Sequence, residues 1–250
     1  MKTGVIIQAR MSSTRLPGKI LKKLVDNVTI LDLLIDRVSN CDFIDRIILA
    51  TSVNPKDKTL EAYSKSKGID FYAGSEDDVL KRFYYCAKHY KLSNIIRVTA
   101  DDPFKDPEVI KIAYDIFIKN KLDYVSNTIK PTFPEGIDIE IFNFSSLEKA
   151  FLNAALSSER EHVTPYIWKN PDLFKLENFV LEDDLSCYRL TEDYEEDYNL
   201  SKKILKNFYP NITFGYQQII EFLKSKNIVN NIERNEGYKK SVKLEKNNEY

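Results

Sequence analysis

The feature that most constrains this chain is an alternation in its first half, where short β-branched runs are separated by stretches long enough for a helix. The runs are Val5-Ile6-Ile7, Ile47-Ile48-Leu49, Ile69-Asp70-Phe71-Tyr72 and Ile95-Ile96-Arg97-Val98. Val79, Phe83, Cys86 and Tyr90 recur at helical spacing, as do Val109, Ala113, Ile116 and Phe117, so each stretch has one apolar face. Strand, helix and strand in succession build a parallel sheet, and the apolar helix faces cover it. An α/β fold is therefore expected, with a mostly parallel central sheet flanked by helices. Open sheets of this kind bind ligands beyond the carboxyl ends of their strands, which directs attention to the residues after Ile7, Leu49, Tyr72 and Val98.

Beyond residue 123 the pattern loosens. Asp123-Tyr124-Val125-Ser126 and Ile137-Asp138-Ile139-Glu140-Ile141 read as strands, with a turn over Thr132 to Gly136 between them. Helices are expected around Leu156 to Trp168 and from Tyr194 to Phe208. From Asn227 onward the chain is rich in Asn, Lys and Glu, and its last few residues are expected to be disordered. With no internal repeat and no clear linker, the economical division is a main domain over 1–210 and a C-terminal extension over 211–250 packed on it.

Composition narrows the function classes. Lys and Arg total 37 against 38 Asp and Glu, so no global field draws the chain to nucleic acid or to an anionic membrane. Anion binding must then be local. Cys41, Cys86 and Cys187 lie far apart with no C-x-x-C pair, which fits reduced thiols better than disulfides or a zinc site. The opening Met1 to Gln8 holds too short an apolar run for a signal peptide, and no later run reaches membrane-spanning length. A cytoplasmic protein without membrane insertion is expected.

Local anion binding has an obvious seat. The first strand runs into Gln8-Ala9-Arg10-Met11-Ser12-Ser13-Thr14-Arg15-Leu16-Pro17-Gly18-Lys19, a hydroxyl-rich loop with three cations. Backbone N–H groups of such a loop can cradle phosphate oxygens, Arg10 and Arg15 can make forked hydrogen bonds, and Lys19 can neutralise the β and γ groups of a triphosphate. Neither a Walker loop nor a Gly-x-Gly-x-x-Gly fingerprint is present. The fourth run ends in Thr99-Ala100-Asp101-Asp102-Pro103, so carboxylates stand at the same sheet edge. Beside a triphosphate they point to Mg²⁺, which needs only one or two protein carboxylates plus phosphate oxygens. The competing reading is a helix cap near Asp106-Pro107. A second acidic cluster, Thr191 to Asp197, holds Glu195, Glu196 and Asp197 at a helix start, where they complement the dipole, and leaves Asp193 for another role.

Two further segments carry candidates. In Ala73-Gly74-Ser75-Glu76-Asp77-Asp78-Val79, Ser75 or Asp77 can cap the helix that follows, while Gly74, Ser75 and Asp77 stand at the ligand edge and suit a base or ribose. Ser158-Glu159-Arg160-Glu161-His162-Val163-Thr164-Pro165 sets one of the two histidines among charges, whereas His89 has no such surroundings and receives no role.

Together these segments resemble the cytidylyltransferase family that activates acidic sugars, and more closely its branch typified by the spore-coat polysaccharide biosynthesis protein SpsF. The loop from Ile7 to Lys19 carries the resemblance most strongly. It is joined by Gly74 to Leu80, Tyr124-Val125-Ser126-Asn127, Gly136-Ile137-Asp138-Ile139-Glu140, Ser158 to Pro165 and Arg234-Asn235-Glu236-Gly237-Tyr238. The resemblance implies a GT-A-like Rossmannoid nucleotidyltransferase fold and a homodimer. It implies that Arg10, Arg15 and Lys19 hold the triphosphate of CTP, with Gln8, Ala9 and Ser13 in the same loop, and that Asp101 and Asp193 bind Mg²⁺. Glu140, Arg160 and His162 are its acceptor-side candidates. The sequence departs from the branch at Asp102, where Cys is frequent, at Phe104-Lys105, in place of a more apolar pair, and at Tyr194-Glu195, in place of Glu-Pro.

The expected reaction is attack of an acceptor oxygen, from a sugar hydroxyl or a phosphate, on the α-phosphorus of CTP, releasing pyrophosphate. The rivals are a GT-A glycosyltransferase using a nucleotide-sugar donor and a non-catalytic nucleotide-binding subunit.

Overall fold

The computed structural model describes residues 1–13, 15–228 and 236–247. Thr14, Arg234, Asn235 and the last few residues lie outside them, and with them the expected disorder of the tail. In chain order the strands are β1 (Thr3–Gln8), β2 (Lys23–Val25), β3 (Val28–Thr29), β4 (Arg46–Ser52), β5 (Asp70–Gly74), β6 (Asn94–Thr99), β7 (Tyr124–Ser126), β8 (Glu140–Asn143) and β9 (Leu176–Asn178). The helices are α1 (Ile30–Val38), α2 (Thr59–Lys67), α3 (Val79–Tyr90), α4 (Pro107–Asn120), α5 (Phe144–Asn153), α6 (Ser157–His162), α7 (Pro165–Trp168), α8 (Glu195–Phe208), α9 (Tyr216–Ser225) and α10 (Glu236–Asn247).

The four early runs become the parallel strands β5, β4, β1 and β6, which lie side by side. Strand β1 lies inside the sheet between β4 and β6, and it is apolar on both faces. Val5 and Ile7 enter one core cluster and Ile6 the other, and all three are fully buried. Beyond β6 the order continues β8, β7, β9, with β8 antiparallel to both its neighbours. One face of the sheet is covered by α1, α4, α8 and α9 through residues such as Leu34, Ile110, Ile204 and Ile220. The opposite face carries α3, α5 and α7 through Phe83, Leu147 and Ile167. No described helix is long and apolar enough to cross a membrane.

Several elements differ from the sequence reading. Strand β8 starts at Glu140, because Asn127 ties down the residues before it: its side-chain oxygen accepts from Ile139 N at 2.8 Å and its amide donates to Ile137 O at 3.0 Å. The helix expected over 156–168 is broken into α6 and α7. Val163 between them has a positive φ of 73°, and Pro165 supplies no N–H. The cap of α3 is Asp78, which accepts from Lys81 N at 2.8 Å; Ser75 supports it by accepting from Asp78 N at 3.2 Å. The cap of α4 is Asp106, which leaves Asp101 and Asp102 outside that duty.

Candidate active site

The loop after β1 is fixed by its backbone. Ala9 N donates to Ala50 O, Ala100 N donates to Gln8 O, and Met11 N donates to Asp57 Oδ1 at 2.7 Å. Leu16 N donates to the Ser13 hydroxyl at 3.2 Å, and Gly18 adopts a left-handed φ of 65° that turns Lys19 inward. Lys19 is thereby nearly buried. Its ammonium donates to Asp101 Oδ2 at 2.7 Å, to Glu192 O at 2.5 Å and to Asp193 Oδ1 at 3.1 Å. Two carboxylates far apart in sequence thus meet at one nitrogen.

Further bonds hold this junction. Glu192 N donates to Asp101 O at 2.9 Å, tying the segment after β6 to the one before α8. Arg15 donates to Asp193 Oδ1 at 2.6 Å, and the buried Arg189 donates to Asp193 Oδ2 at 2.6 Å and to Glu135 at 3.1 Å. Glu135 can reach Arg189 because Gly136, with φ of 98°, lets its backbone pass the Leu190 carbonyl; a Cβ there would lie 2.6 Å from it. Burial alone would lower the Lys19 pKa, but Asp101 and Asp193 more than offset it and the net shift is upward. Burial likewise pushes the Asp101 carboxyl up, and Lys19 overcomes that, leaving it below its ordinary value. Glu192 is the contrast: fully buried, its carboxyl is pushed up to about 8, first by burial.

Around this junction lie two adjoining cavities. The smaller, about 170 Å³, is lined by Gln8, Ala9, Arg10, Ser13, Arg15 and Lys19, facing Asp101 and Asp193. Arg10 is exposed there and makes no hydrogen bond or ion pair with any described residue. The larger, about 510 Å³, shares Arg15, Asp101 and Asp193 with it and extends past Glu140 and His162. Glu140 is buried and accepts from Arg97, from the Tyr124 hydroxyl at 2.7 Å and from the Thr164 hydroxyl.

The structure does not bring every sequence candidate here. Arg160 is turned away: it donates to Asp78 at 2.7 Å and 3.0 Å and to Phe151 O, joining α6 to the start of α3. Its charge is spent on packing two elements. Gly74, Ser75 and Asp77 line neither cavity. Ser75 instead offers its carbonyl to Arg82 at 3.0 Å, and a Cβ at Gly74 would press on Arg82 and Tyr72. Arg82 itself is a residue the sequence did not single out. It is buried, and desolvation together with the Arg10 charge lowers its pKa to about 10.

Other cavity residues were also passed over. Asp102 and Lys105, noted only as departures, prove to be partners: Lys105 Nζ lies 2.8 Å from Asp102 Oδ2, both are buried, and Lys105 also donates to Asp138 O at 2.5 Å. Each departure makes the other tolerable, because either charge buried alone would be costly. Trp168 and Arg189, to which the sequence reading gives no role, also line the larger cavity, together with Tyr238 of the C-terminal extension. The signal available in the sequence was the matched motif containing Tyr238; nothing local marked Trp168 or Arg189.

A cationic loop after the first strand, facing two carboxylates from different segments at the carboxyl edge of a parallel sheet, defines a nucleotidyltransferase-type site. Comparison with known proteins narrows the class. The model of the cytidylyltransferase family matches residues 4–244. An uncharacterized protein of Methanocaldococcus jannaschii is 39% identical over 239 residues, covering 94% of this chain and 96% of its own. The spore coat polysaccharide biosynthesis protein SpsF of Bacillus subtilis is 38% identical over 206 residues, 80% of this chain and 84% of that protein. The structure of a cytidylyltransferase from Leptospira borgpetersenii superposes with a TM-score of 0.86 at 37% identity, covering 91% of this chain and 95% of that one. The chain belongs to the cytidylyltransferase family, and it is a CTP-dependent nucleotidyltransferase.

Proposed function

We propose that this protein transfers CMP from CTP to a sugar-type acceptor with release of pyrophosphate, in the biosynthesis of a surface polysaccharide or glycoconjugate. The observation that carries the reading is the junction of Lys19, Asp101 and Asp193 where the two cavities meet. The smaller cavity, with its cations, suits the triphosphate; the larger, lined by paired charges and aromatic rings, suits the acceptor.

Asp101 and Asp193 fit a Mg²⁺ ion. Both are carboxylates, both reach one point, and among the described residues no group of three or more acidic, His or Cys side chains could form an all-protein cage. That donor set matches a cation that completes its shell with phosphate oxygens and water. When bound, Mg²⁺ would supply positive charge to the phosphates as the transition state forms. Arg10, Arg15 and Lys19 would hold the β- and γ-phosphates and stabilise the departing pyrophosphate. The acceptor oxygen forms a bond to the α-phosphorus as the bond to the β-phosphate oxygen breaks. A sugar hydroxyl must also lose its proton, for which a carboxylate such as Asp101 or Asp193 is the candidate acceptor; a phosphate acceptor has no such need. The protein would act in the cytoplasm as a homodimer, the state implied by the resemblance.

The test is a thermal-shift panel of CTP, UTP, ATP, GTP, dTTP and nucleotide-sugars, each with and without Mg²⁺. A Mg²⁺-dependent rise in Tm specific to CTP is expected. A larger rise with a nucleotide-sugar would replace this reading with a glycosyltransferase, and CTP binding without pyrophosphate release on any acceptor would replace it with a non-catalytic subunit.

A further inference from the structure

Strand β6 brings Arg97 to the wall of the larger cavity, and this residue has more hydrogen-bonding capacity than its partners use. Arg97 and Glu140 stand opposite each other in the antiparallel pair of β6 and β8, and Arg97 Nη1 donates to Glu140 Oε2. Glu140 is in turn fixed through its other oxygen, which accepts from the Tyr124 hydroxyl at 2.7 Å and from the Thr164 hydroxyl. Arg97 Nη2 makes only a long contact, 3.4 Å, with Gln8 Oε1, and Nε is buried with no hydrogen-bond partner among the described residues. A guanidinium carries one N–H on Nε and a pair on each Nη. Most of these donors are therefore unspent, and a buried donor left unmet is costly unless a ligand meets it.

The other cations of this cavity are placed differently. The side chains of Lys105 and Arg189 are only 2% and 3% exposed and leave almost no surface to a ligand, and Arg15 belongs to the loop of the smaller cavity. The Arg97 side chain is 16% exposed. Its ion pair does not close it to an anion, because Glu140 takes one edge of the fork and leaves the rest; Arg15 stands in the same relation to the triphosphate, paired with Asp193 and still able to bind phosphate. His162 adds no charge near neutrality. Burial lowers its pKa, Glu161 opposes that, and the nearby Arg97 charge lowers it further.

Gln8, the distant partner of Nη2, lines the smaller cavity, whereas Arg97 and Glu140 line the larger, so the guanidinium stands between the nucleotide loop and the acceptor. We infer that Arg97 is a specificity-determining residue of the acceptor site: its fork takes an acidic group of the acceptor, carboxylate or phosphate, in charge-assisted hydrogen bonds, while Glu140 holds the guanidinium in place. The inference rests on the cytidylyltransferase reading.

Trp168 is the only tryptophan in the chain and lines this cavity, so its fluorescence reports on the subsite. The full-length protein, saturated with Mg²⁺ and a non-hydrolysable CTP analogue, is titrated with 2-keto-3-deoxy acid sugars and the alcohols made by reducing their carboxyl groups, and with sugar 1-phosphates and their parent sugars. Binding of CTP is measured separately by calorimetry. An acidic probe should bind at least about tenfold tighter than its uncharged counterpart, and the class that binds tighter, acid sugar or sugar phosphate, names the source of the anion. Arg97→Met combined with Glu140→Gln leaves neither charge buried without its partner; it should cut that preference to within about twofold while CTP binding changes less than about threefold. Arg97→Lys keeps the charge without the fork and should weaken binding of the acidic probe at least about fivefold. No preference for acidic probes in the unaltered protein, a preference that survives the double variant, loss of CTP binding in the double variant, or no response to any probe while CTP binds would each overturn the inference. Failure of the unaltered protein to bind CTP would instead bring down the reading beneath it.

Discussion

The two cavities that adjoin at Asp101 and Asp193 are built in different ways. The smaller takes six of its lining residues from the segment between Gln8 and Lys19, a continuous loop whose course is set by its own backbone bonds. The larger draws on β6, β8, α6, α7, the Glu135 and Arg189 strand-like crossing and α10, and no two neighbouring segments supply most of it. A site made by one loop can be held constant while everything around it drifts. A composite site changes whenever any contributor does, and here the buried Asp102 and Lys105 form one ion pair in its wall.

If the smaller cavity is the catalytic half, its junction should be the most sensitive point. Asp101→Asn and Asp193→Asn are each expected to lower kcat for pyrophosphate release by about 100-fold or more, with folding preserved by circular dichroism. Near-normal rates in both would sink the metal assignment and erase the contrast between the halves.

Glu192 sharpens the comparison on stability, because it lies fully buried beneath the junction. Its folded pKa of about 8 is above the ordinary value of 4.5. The folded state therefore keeps a proton that the unfolded chain gives up, so this contribution is complete below about pH 4.5 and is lost as pH rises toward 8. Glu192→Gln should flatten the fall in Tm between those limits, a difference of about 2 kcal/mol or more at the upper end. Parallel pH profiles for the two proteins would contradict this account.

In the larger cavity, Asp102 and Lys105 should be coupled. Lys105→Leu or Asp102→Cys alone leaves one buried charge without its partner and should destabilise by about 2–4 kcal/mol, while the double variant recovers most of the loss. Additive losses in urea titrations would show that the two departures are independent. The smallest effect is expected at Arg160. Its pairing with Asp78 is partly exposed, so Arg160→Ala should cost about 1 kcal/mol of stability and change acceptor KM less than about twofold. A large rise in KM would return Arg160 to the acceptor side.

Legibility followed the same divide. The parallel half of the sheet could be read because its inner strands β1, β4 and β6 are largely buried and carry short apolar, mostly β-branched runs, while the edge strand β5 is only partly buried. Strand β8 was misplaced by three residues because a side chain, Asn127, takes over the pairing that a strand would have made. Arg160 looked like a ligand group because a charged motif reveals its composition and not the direction of its side chains, and Asp78, its partner, is 82 positions away. Arg189 and Trp168 were passed over for the complementary reason: their neighbours in sequence are not their neighbours in the cavity.

The sequence by itself determined the parallel half of the sheet, the cationic loop at its carboxyl edge and the family, because these depend on periodicity and on residues within short stretches. Only the tertiary structure decided that Asp101 and Asp193 converge on Lys19, that Asp102 and Lys105 are one unit, and that α10 brings Tyr238 to Trp168. Those are contacts between segments far apart along the chain, and their geometry is fixed by how helices and strands pack, which no local pattern encodes.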